Sequence, residues 1–218
     1  MKTVLITGVS RGIGKALAER FLQNGDFVVG TSTKGTSDWT HENLTVLKLD
    51  LSKSESIEEC AEQIIAFGKK IDILINNAGI WSGAEDDPVL RIKDLRKTLE
   101  VNLFGTADFT DRVLPLVNDG GHIINISSRA GSLSYVHDAE YPDYKISKAA
   151  LNMFTRMLAI RFKDKITVSS VHPGWVKTDM GGSDADMEPK EAAEHIFKLA
   201  YTPVETGQFW FKGEKFPW

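Results

Sequence analysis

Short runs of consecutive apolar residues alternate with stretches of helical spacing along almost the whole chain. Residues 3–7, 27–31, 44–49, 71–75, 122–127 and 166–171 are apolar runs bounded by Gly, Asn, Asp or Pro, as expected of buried strands. Between them, apolar positions recur at helical spacing near 13–24, 54–67, 92–117, 144–162 and 188–200. Strands separated by helices imply right-handed βαβ crossovers. The expected fold is α/β, a doubly wound, mostly parallel sheet with helices on both faces, formed by residues 1–218 as a single domain. Residues 179–189 are the one flexible-looking stretch, placed where they could cover a site.

Composition narrows the partners. With 26 basic and 30 acidic residues the net charge is −4, which argues against nucleic acid or an anionic membrane surface. A single cysteine forms no internal disulfide, and with five scattered histidines it offers no metal-ligand spacing. Cys60 falls in the series Ile57, Cys60, Ala61, Ile64, Ile65, which places it in the core of a helix. No apolar stretch approaches the roughly 18 residues a membrane span needs, and Val4-Leu5-Ile6 is too short for a signal segment. A reduced, cytoplasmic protein is expected.

Thr7-Gly8-Val9-Ser10-Arg11-Gly12-Ile13-Gly14 follows the first strand directly and opens the first helix. That placement turns backbone N–H groups and the positive end of a helix toward a phosphate, and glycines let the backbone approach closely. A ribose 2′-hydroxyl is usually held by an Asp or Glu about 20 residues beyond such a loop. Here the second strand ends in Thr31-Ser32-Thr33-Lys34, with Asp26 too early and Asp38 too late. No acid repels a 2′-phosphate, the hydroxyls of 31–33 can donate to it, and Arg11 and Lys34 are near. NADP(H) is therefore favoured over NAD(H).

Tyr144 and Lys148 are four apart, about 40° around a helix, so their side chains share a face. Ile146, Ala149, Ala150, Met153, Phe154 and Met157 point the other way. An ammonium beside a phenol favours the phenolate, moving a pKa near 10 toward neutrality, where tyrosine works as a general acid/base. Tyr141 and Lys145 repeat the spacing. Pro142 separates the two pairs, because the residue before proline is pushed out of helical geometry while proline itself suits the first helical position. Tyr144 is expected inside the first turn and Tyr141 before the helix, at the rim.

TGVSRGIG at 7–14, NNAG at 76–79, NISS at 125–128, YKISK at 144–148 and HPGWVKT at 172–178 resemble the short-chain dehydrogenase/reductase family. They stand in that family's order and span essentially the whole chain. The SKAALNM run, HPGWVKTDMGG at 172–182 and the terminal Phe216-Pro217-Trp218 look closer to its C-factor and sniffer-type carbonyl reductase branch.

The resemblance implies a Rossmann-type oxidoreductase. Tyr144 would exchange a proton with the substrate oxygen while hydride moves to or from the nicotinamide. Lys148 would depress the tyrosine pKa and hold the nicotinamide ribose, and Ser128 would hydrogen-bond the substrate oxygen. Asn102 would bend its helix and anchor a water leading to Lys148. Independently of the family, Asn102 shares a stripe with Leu95, Leu99, Phe109 and Val113, where packing wants a hydrophobe. For the cofactor, the family's pattern places Gly8, Ser10, Arg11, Gly12, Ile13 and Gly14 around the phosphates. Asp50 and Leu51 would contact the adenine, Asn77, Ala78 and Gly79 the adenine-side ribose and strand end, and Pro173, Gly174, Val176 and Thr178 the carboxamide. Asp50 could equally be a helix N-terminal acid before Ser52, and His172 reads better as a packed neighbour than as a catalyst.

One departure from the family is the spacing of 16 between Ser128 and Tyr144, a few more than in most relatives, which reads as an insertion; Tyr141 would restore the commoner spacing. Trp81, Tyr135, Trp175 and Met180 follow strand ends and could line a pocket for an apolar or aromatic carbonyl compound or its alcohol. The resemblance also implies a homodimer through the helices near 92–117 and 144–162. The alternative reading is a nucleotide-binding sensor or signalling protein on the same fold.

Overall fold

Strand β1 (Thr3–Ile6) is fully buried from Val4 onward, inside a sheet completed by β2 (Phe27–Ser32), β3 (Leu44–Lys48), β4 (Ile71–Asn76), β5 (Val117–Ile126), β6 (Thr167–Val171), β7 (Gln208–Phe211) and β8 (Glu214–Lys215). The computed structural model describes residues 1–83 and 87–218. The strand order is β3-β2-β1-β4-β5-β6-β7-β8, parallel throughout except for the final pair. The helices are α1 (Gly12–Gln23), α2 (Ser54–Ala66), α3 (Ile92–Leu99), α4 (Thr106–Val113), α5 (Pro142–Arg161) and α6 (Pro189–Tyr201). On one face α1 and α6 pack against the sheet, with the Phe21 and Phe197 rings 5.1 Å apart. On the other lie α2, α4 and α5, and there Cys60 is fully buried, its thiol pushed up to about 12 by desolvation.

This is the doubly wound arrangement the alternating pattern predicts. The chain winds outward from β1 to β3 and then crosses back to β4 on the other side of β1. Loops leaving β1 and β4 therefore diverge, and a crevice opens at the carboxyl edge of the sheet between them.

The structure departs from expectation in three places. The helix expected over 92–117 is broken. It runs as α3, a π-helical turn over Glu100–Gly105, α4 and a 3-10 turn over Leu114–Leu116. At Gly105 a Cβ would lie 1.9 Å from the Leu51 carbonyl oxygen, so this turn packs backbone to backbone against the loop after β3. Strand β5 begins five residues earlier than the apolar run, at Val117, which pairs with Ile71 before a register shift; Asn118-Asp119-Gly120-Gly121 resembles a turn but forms this irregularity. Strands β7 and β8 are too short for periodicity to reveal.

Helix α5 keeps the two faces that the spacing predicts, and it is the polar one that is buried. Ile146, Met153 and Met157 do lie opposite Tyr144 and Lys148, but they face solvent, with Met153 63% and Met157 58% exposed. The buried face carries Ser147, Lys148, Leu151, Asn152, Thr155, Leu158 and Ala159. Its polar members are matched from below. The Asn152 amide donates to the Gly131 carbonyl at 3.0 Å and its oxygen accepts from Ser170 at 2.6 Å. Thr155 accepts from Asn125 at 2.9 Å, and Asn125 accepts from Asn76 at 2.8 Å. A satisfied polar layer thus replaces an apolar seam beneath the crevice.

Candidate active site

One cleft of about 1670 Å³ runs along the carboxyl edge of the sheet and is lined by residues from the loops after β1, β2, β3, β4, β5 and β6. At its β1 end, Gly8 and Gly12 hold left-handed φ values of 76° and 57°, which bend the loop so that the first turn of α1 faces the opening. Arg11 leaves that helix without a side-chain cap, so the first N–H groups of α1 are a cradle for an anion. The loop is braced from behind. Thr31 accepts from the N–H groups of Gly8 (3.0 Å) and Val9 (2.9 Å) through its carbonyl, and the Asn77 amide donates to the Thr7 (2.8 Å) and Gly8 (3.2 Å) carbonyls. Thr7 in turn accepts from the N–H groups of Asn77 and Ala78 through its hydroxyl, both at 3.0 Å. A Cβ on Gly14 would lie 2.0 Å from the Gly8 carbonyl oxygen, so this glycine seats the helix against the loop.

The hydroxyls expected to meet a 2′-phosphate divide into two groups. Thr31 and Ser32 are buried, at 1% and 5% exposure. Thr31 is the brace just described, and the Ser32 hydroxyl donates to the Thr36 carbonyl at 2.8 Å and accepts from its N–H at 3.1 Å. Both hydroxyls therefore brace the loop, and both residues still line the cleft. Ser10, Arg11, Thr33 and Lys34 remain exposed on the cleft. Arg11 reaches across to Asp179 at 2.5 Å. Asp50 lies ahead of α2, whose cap is Lys53, and its carboxylate accepts from the Ser52 hydroxyl (2.6 Å) and N–H (3.0 Å), which hold its pKa below the usual carboxylate range. Asp50 and Leu51 still line the cleft, as do Ala78 and Gly79.

At the β5 end the two serines part as strand alternation requires. Ser127 is buried and its N–H bonds the Val171 carbonyl at 2.8 Å. Ser128 turns into the cleft and caps the 3-10 turn Arg129–Gly131, accepting from Ala130 N–H at 3.2 Å. Tyr144 lines the same part of the cleft. Pro142 occupies the first turn of α5, and Tyr141 before it is left-handed at φ 38°. The Tyr141 ring packs edge-on against Trp81 at 5.6 Å, which makes it a rim residue, and its partner Lys145 is ion-paired with Asp138. Lys148 lies inside, its Nζ 5.5 Å from the Tyr144 ring centre and donating to the Ile126 carbonyl at 2.8 Å.

The charges of this pair do not follow the simple expectation. Burial pushes the Tyr144 phenol up to about 12, against the downward pull of Ser128, and brings the Lys148 ammonium down to about 8. In the protein alone, desolvation outweighs the attraction of the ammonium for a phenolate. The resting pair at neutral pH is thus a protonated phenol beside an ammonium.

Asn102 lies in the π-helical turn, 1% exposed. Its oxygen accepts from Ile80 N–H at 2.8 Å, and its amide donates to the Ile80 carbonyl at 2.8 Å and to the Ser147 hydroxyl at 3.0 Å. Ser147 donates to the Tyr144 carbonyl at 2.8 Å. The amide on the apolar stripe thus ties the chain after NNAG to the first turn of α5. At Gly79 an added Cβ would meet Asn102 Oδ1 at 3.2 Å and Lys148 Nζ at 3.5 Å, so glycine leaves the passage between those two groups open.

The loop after β6 closes the cleft. Pro173, Gly174, Val176 and Thr178 line it, and Val176 also packs against Met187 and Ala192. His172 is a packed neighbour, stacked on Phe211 at 4.6 Å. Trp81, Tyr135, Trp175 and Met180 all line the β5–β6 half. Sequence reasoning missed Ile80 and Ser147, which carry no chemical signal of their own, and Arg129, which the motif NISS leaves just outside its last residue.

A glycine-cradled crevice joined to a cleft-lining Ser and Tyr and a buried Lys is the arrangement of the general class of dinucleotide-dependent oxidoreductases. Residues 2–189 match the short chain dehydrogenase family model, and the chain belongs to that family of oxidoreductases. It is 34% identical over 158 residues to the C-signal protein of Myxococcus xanthus, covering 68% of this chain and 93% of that one. Among solved structures, the Sniffer carbonyl reductase of D. melanogaster superposes with a TM-score of 0.89 at 28% identity, each chain fully covered. An NADPH-bound carbonyl reductase from chicken fatty liver superposes with a TM-score of 0.89 at 29% identity, over 100% of this chain and 99% of that one. Among the described residues no helix is long and apolar enough to cross a membrane.

Proposed function

We propose that the protein is an NADP(H)-dependent reductase that interconverts small carbonyl compounds and their alcohols, with Tyr144 as general acid/base. The observation that carries this reading is one continuous cleft with the glycine loop at one end and Ser128, Tyr144 and Lys148 at the other. The fit to a dinucleotide rests on the α1 cradle and on the bare approach at Gly8 and Gly12, where Cβ atoms would project toward Ala78 and Thr178. Gly8, Gly12 and Ile13 would hold the phosphates, Asp50, Leu51 and Ala78 would border the adenosine, and Pro173, Gly174 and Thr178 would flank the nicotinamide. When bound, that cofactor supplies the hydride equivalent.

The chain's own residues handle the proton. Tyr144 keeps its proton at neutral pH because burial raises its pKa to about 12, so the resting site is loaded to donate to a carbonyl oxygen. As the proton leaves, Lys148, still cationic below its value of about 8, stabilises the phenolate it leaves behind. Ser128 aligns the oxygen with the phenol. Asn102 acts through Ile80 and Ser147 as a positioning residue. Preference for the 2′-phosphate falls to Thr33 and Lys34, exposed donors at the second strand's end, and to Arg11 of the glycine loop, for which a phosphate would compete with Asp179. The exposed Met153, Met157 and Ile160 on α5 support association of two copies through that helix.

The test is NADPH oxidation with a panel of aldehydes, ketones and quinones, repeated with Tyr144→Phe. Turnover that drops by about 10²–10⁴ in the variant is expected; nucleotide binding without turnover on the whole panel favours the sensor reading. A fluorescence titration should show NADPH binding at least tenfold tighter than NADH, about 1.4 kcal/mol, with the difference reduced in Lys34→Ala. Light scattering decides whether copies pair.

A further inference from the structure

The cleft wall beside the catalytic serine carries a cation that neither the fold nor the proton chemistry uses. Arg129 follows Ser128 directly and opens the 3-10 turn that Ser128 itself caps. Its backbone is thereby fixed one residue from the hydroxyl that would hold the substrate oxygen. The side chain is exposed on the cleft. Its guanidinium lies 5.9 Å from the centre of the Tyr135 ring, and its charge is felt by His172 at the end of β6. Among the described residues no carboxylate lies within ion-pair distance of it.

The neighbouring charges are accounted for differently. Lys145 and Asp138 neutralise each other, and Arg11 is occupied by Asp179 across the cleft. Glu140 is the other carboxylate of the 132–141 loop, exposed just before Tyr141. Among the described residues Arg129 is therefore a cation of the cleft wall without an ion-pair partner, set beside the Tyr135 ring, with Asp186 the carboxylate that acts alongside it on His172. A planar guanidinium offers parallel N–H groups that match a carboxylate in two-point contact, and an aromatic flank restricts it to a few orientations.

On the basis of the reductase reading above, we propose that Arg129 is the anion-recognising arm of the substrate site, and that the preferred substrates are carbonyl compounds carrying a carboxylate about one aromatic ring away from the reacting carbon. The carbonyl would lie between Ser128 and Tyr144, the ring against Tyr135, and the carboxylate on Arg129.

The experiment compares 4-carboxybenzaldehyde with its neutral isostere 4-formylbenzamide, using NADPH and reading kcat/KM for each. Intrinsic reactivity cancels when the acid-to-amide ratio of a variant is divided by that of the wild type. The ratio is expected to fall about tenfold in Arg129→Gln, to recover in part in Arg129→Lys, and to rise in Glu140→Gln. An equal loss on both substrates in Arg129→Gln would reduce Arg129 to support of the Ser128 turn and overturn the proposal. Equilibrium binding of benzoate and benzamide, followed by tryptophan fluorescence with NADPH present, separates this idea from the reductase reading. Benzoate preference that disappears in Arg129→Gln upholds the arm even if no carbonyl is turned over. Equal binding of the two by the wild-type protein refutes it.

Discussion

Lys148 is 4% exposed, and its ammonium donates to the Ile126 carbonyl at 2.8 Å. Burial lowers its pKa from 10.5 to about 8, a shift that corresponds to about 3 kcal/mol of destabilisation of the charged form in the fold. The sign follows from the unfolded chain, which keeps its proton up to 10.5 while the folded protein releases it near 8. At pH 7 both states carry the charge and the folded state bears the full penalty; between 8 and 10.5 that penalty is relieved. Lys148→Met removes the penalty together with a hydrogen bond worth about 1–2 kcal/mol. The variant should therefore be more stable than the wild type by about 1–2 kcal/mol at pH 7, and the gap should close by about 2 kcal/mol at pH 10. Urea denaturation at both pH values measures this, and NADPH-coupled turnover of the same variant should fall by about 10²-fold or more. A variant less stable than wild type at pH 7, or a gap that does not change with pH, would refute the claim that desolvation governs this pair. Such an exchange of stability for chemistry is what the role proposed for Lys148 implies.

Gly14→Ala places a Cβ 2.0 Å from the Gly8 carbonyl and 2.5 Å from Asn77 Nδ2, so dinucleotide binding in a fluorescence titration should be lost before the fold is. Asn102→Leu abandons three hydrogen bonds of a buried amide; a loss of about 3 kcal/mol in chemical denaturation is expected, and kcat should fall more than KM rises, because Tyr144 loses its tether through Ser147. His122 and His172 are held down to about 4 by burial, so both stay neutral in the fold while the unfolded chain takes up protons below 6.5. Their contribution to stability should be constant above that value and decline as pH falls toward 4, by about 2 kcal/mol per histidine at pH 5; melts of His122→Asn at pH 7 and 5 should show a shallower decline than the wild type.

Much of this site could be read along the chain because its parts are close in sequence or tied to chain direction. The glycine loop is legible since a strand, a tight turn and a helix start within a dozen residues. Tyr144 is separable from Tyr141 because proline restricts only its own φ and its predecessor, and the left-handed Tyr141 bears that out. Where two roles were open, as for Asp50, the difference lay in whether Ser52 would turn back onto the carboxylate. Thr31 and Ser32 illustrate a related point. A hydroxyl at a strand end serves a ligand or a loop equally well, and only the loop's path decides.

Helix α5 shows the general limit. Periodicity reports that Ile146, Met153 and Met157 share a face, and equally that Tyr144 and Lys148 share another. It is silent on which face meets the sheet, because hydrogen-bond partners such as Ser170, Gly131 and Ile126 make a polar face as easily buried as an apolar one. Local backbone preference and the order of apolar runs were enough to define the alternating layers, the phosphate cradle and the tyrosine. The partners of Asn102, the exposure of α5's methionines and the place of the Arg129 guanidinium beside Tyr135 came only with docking, since each depends on which distant group arrives within contact range once the layers close.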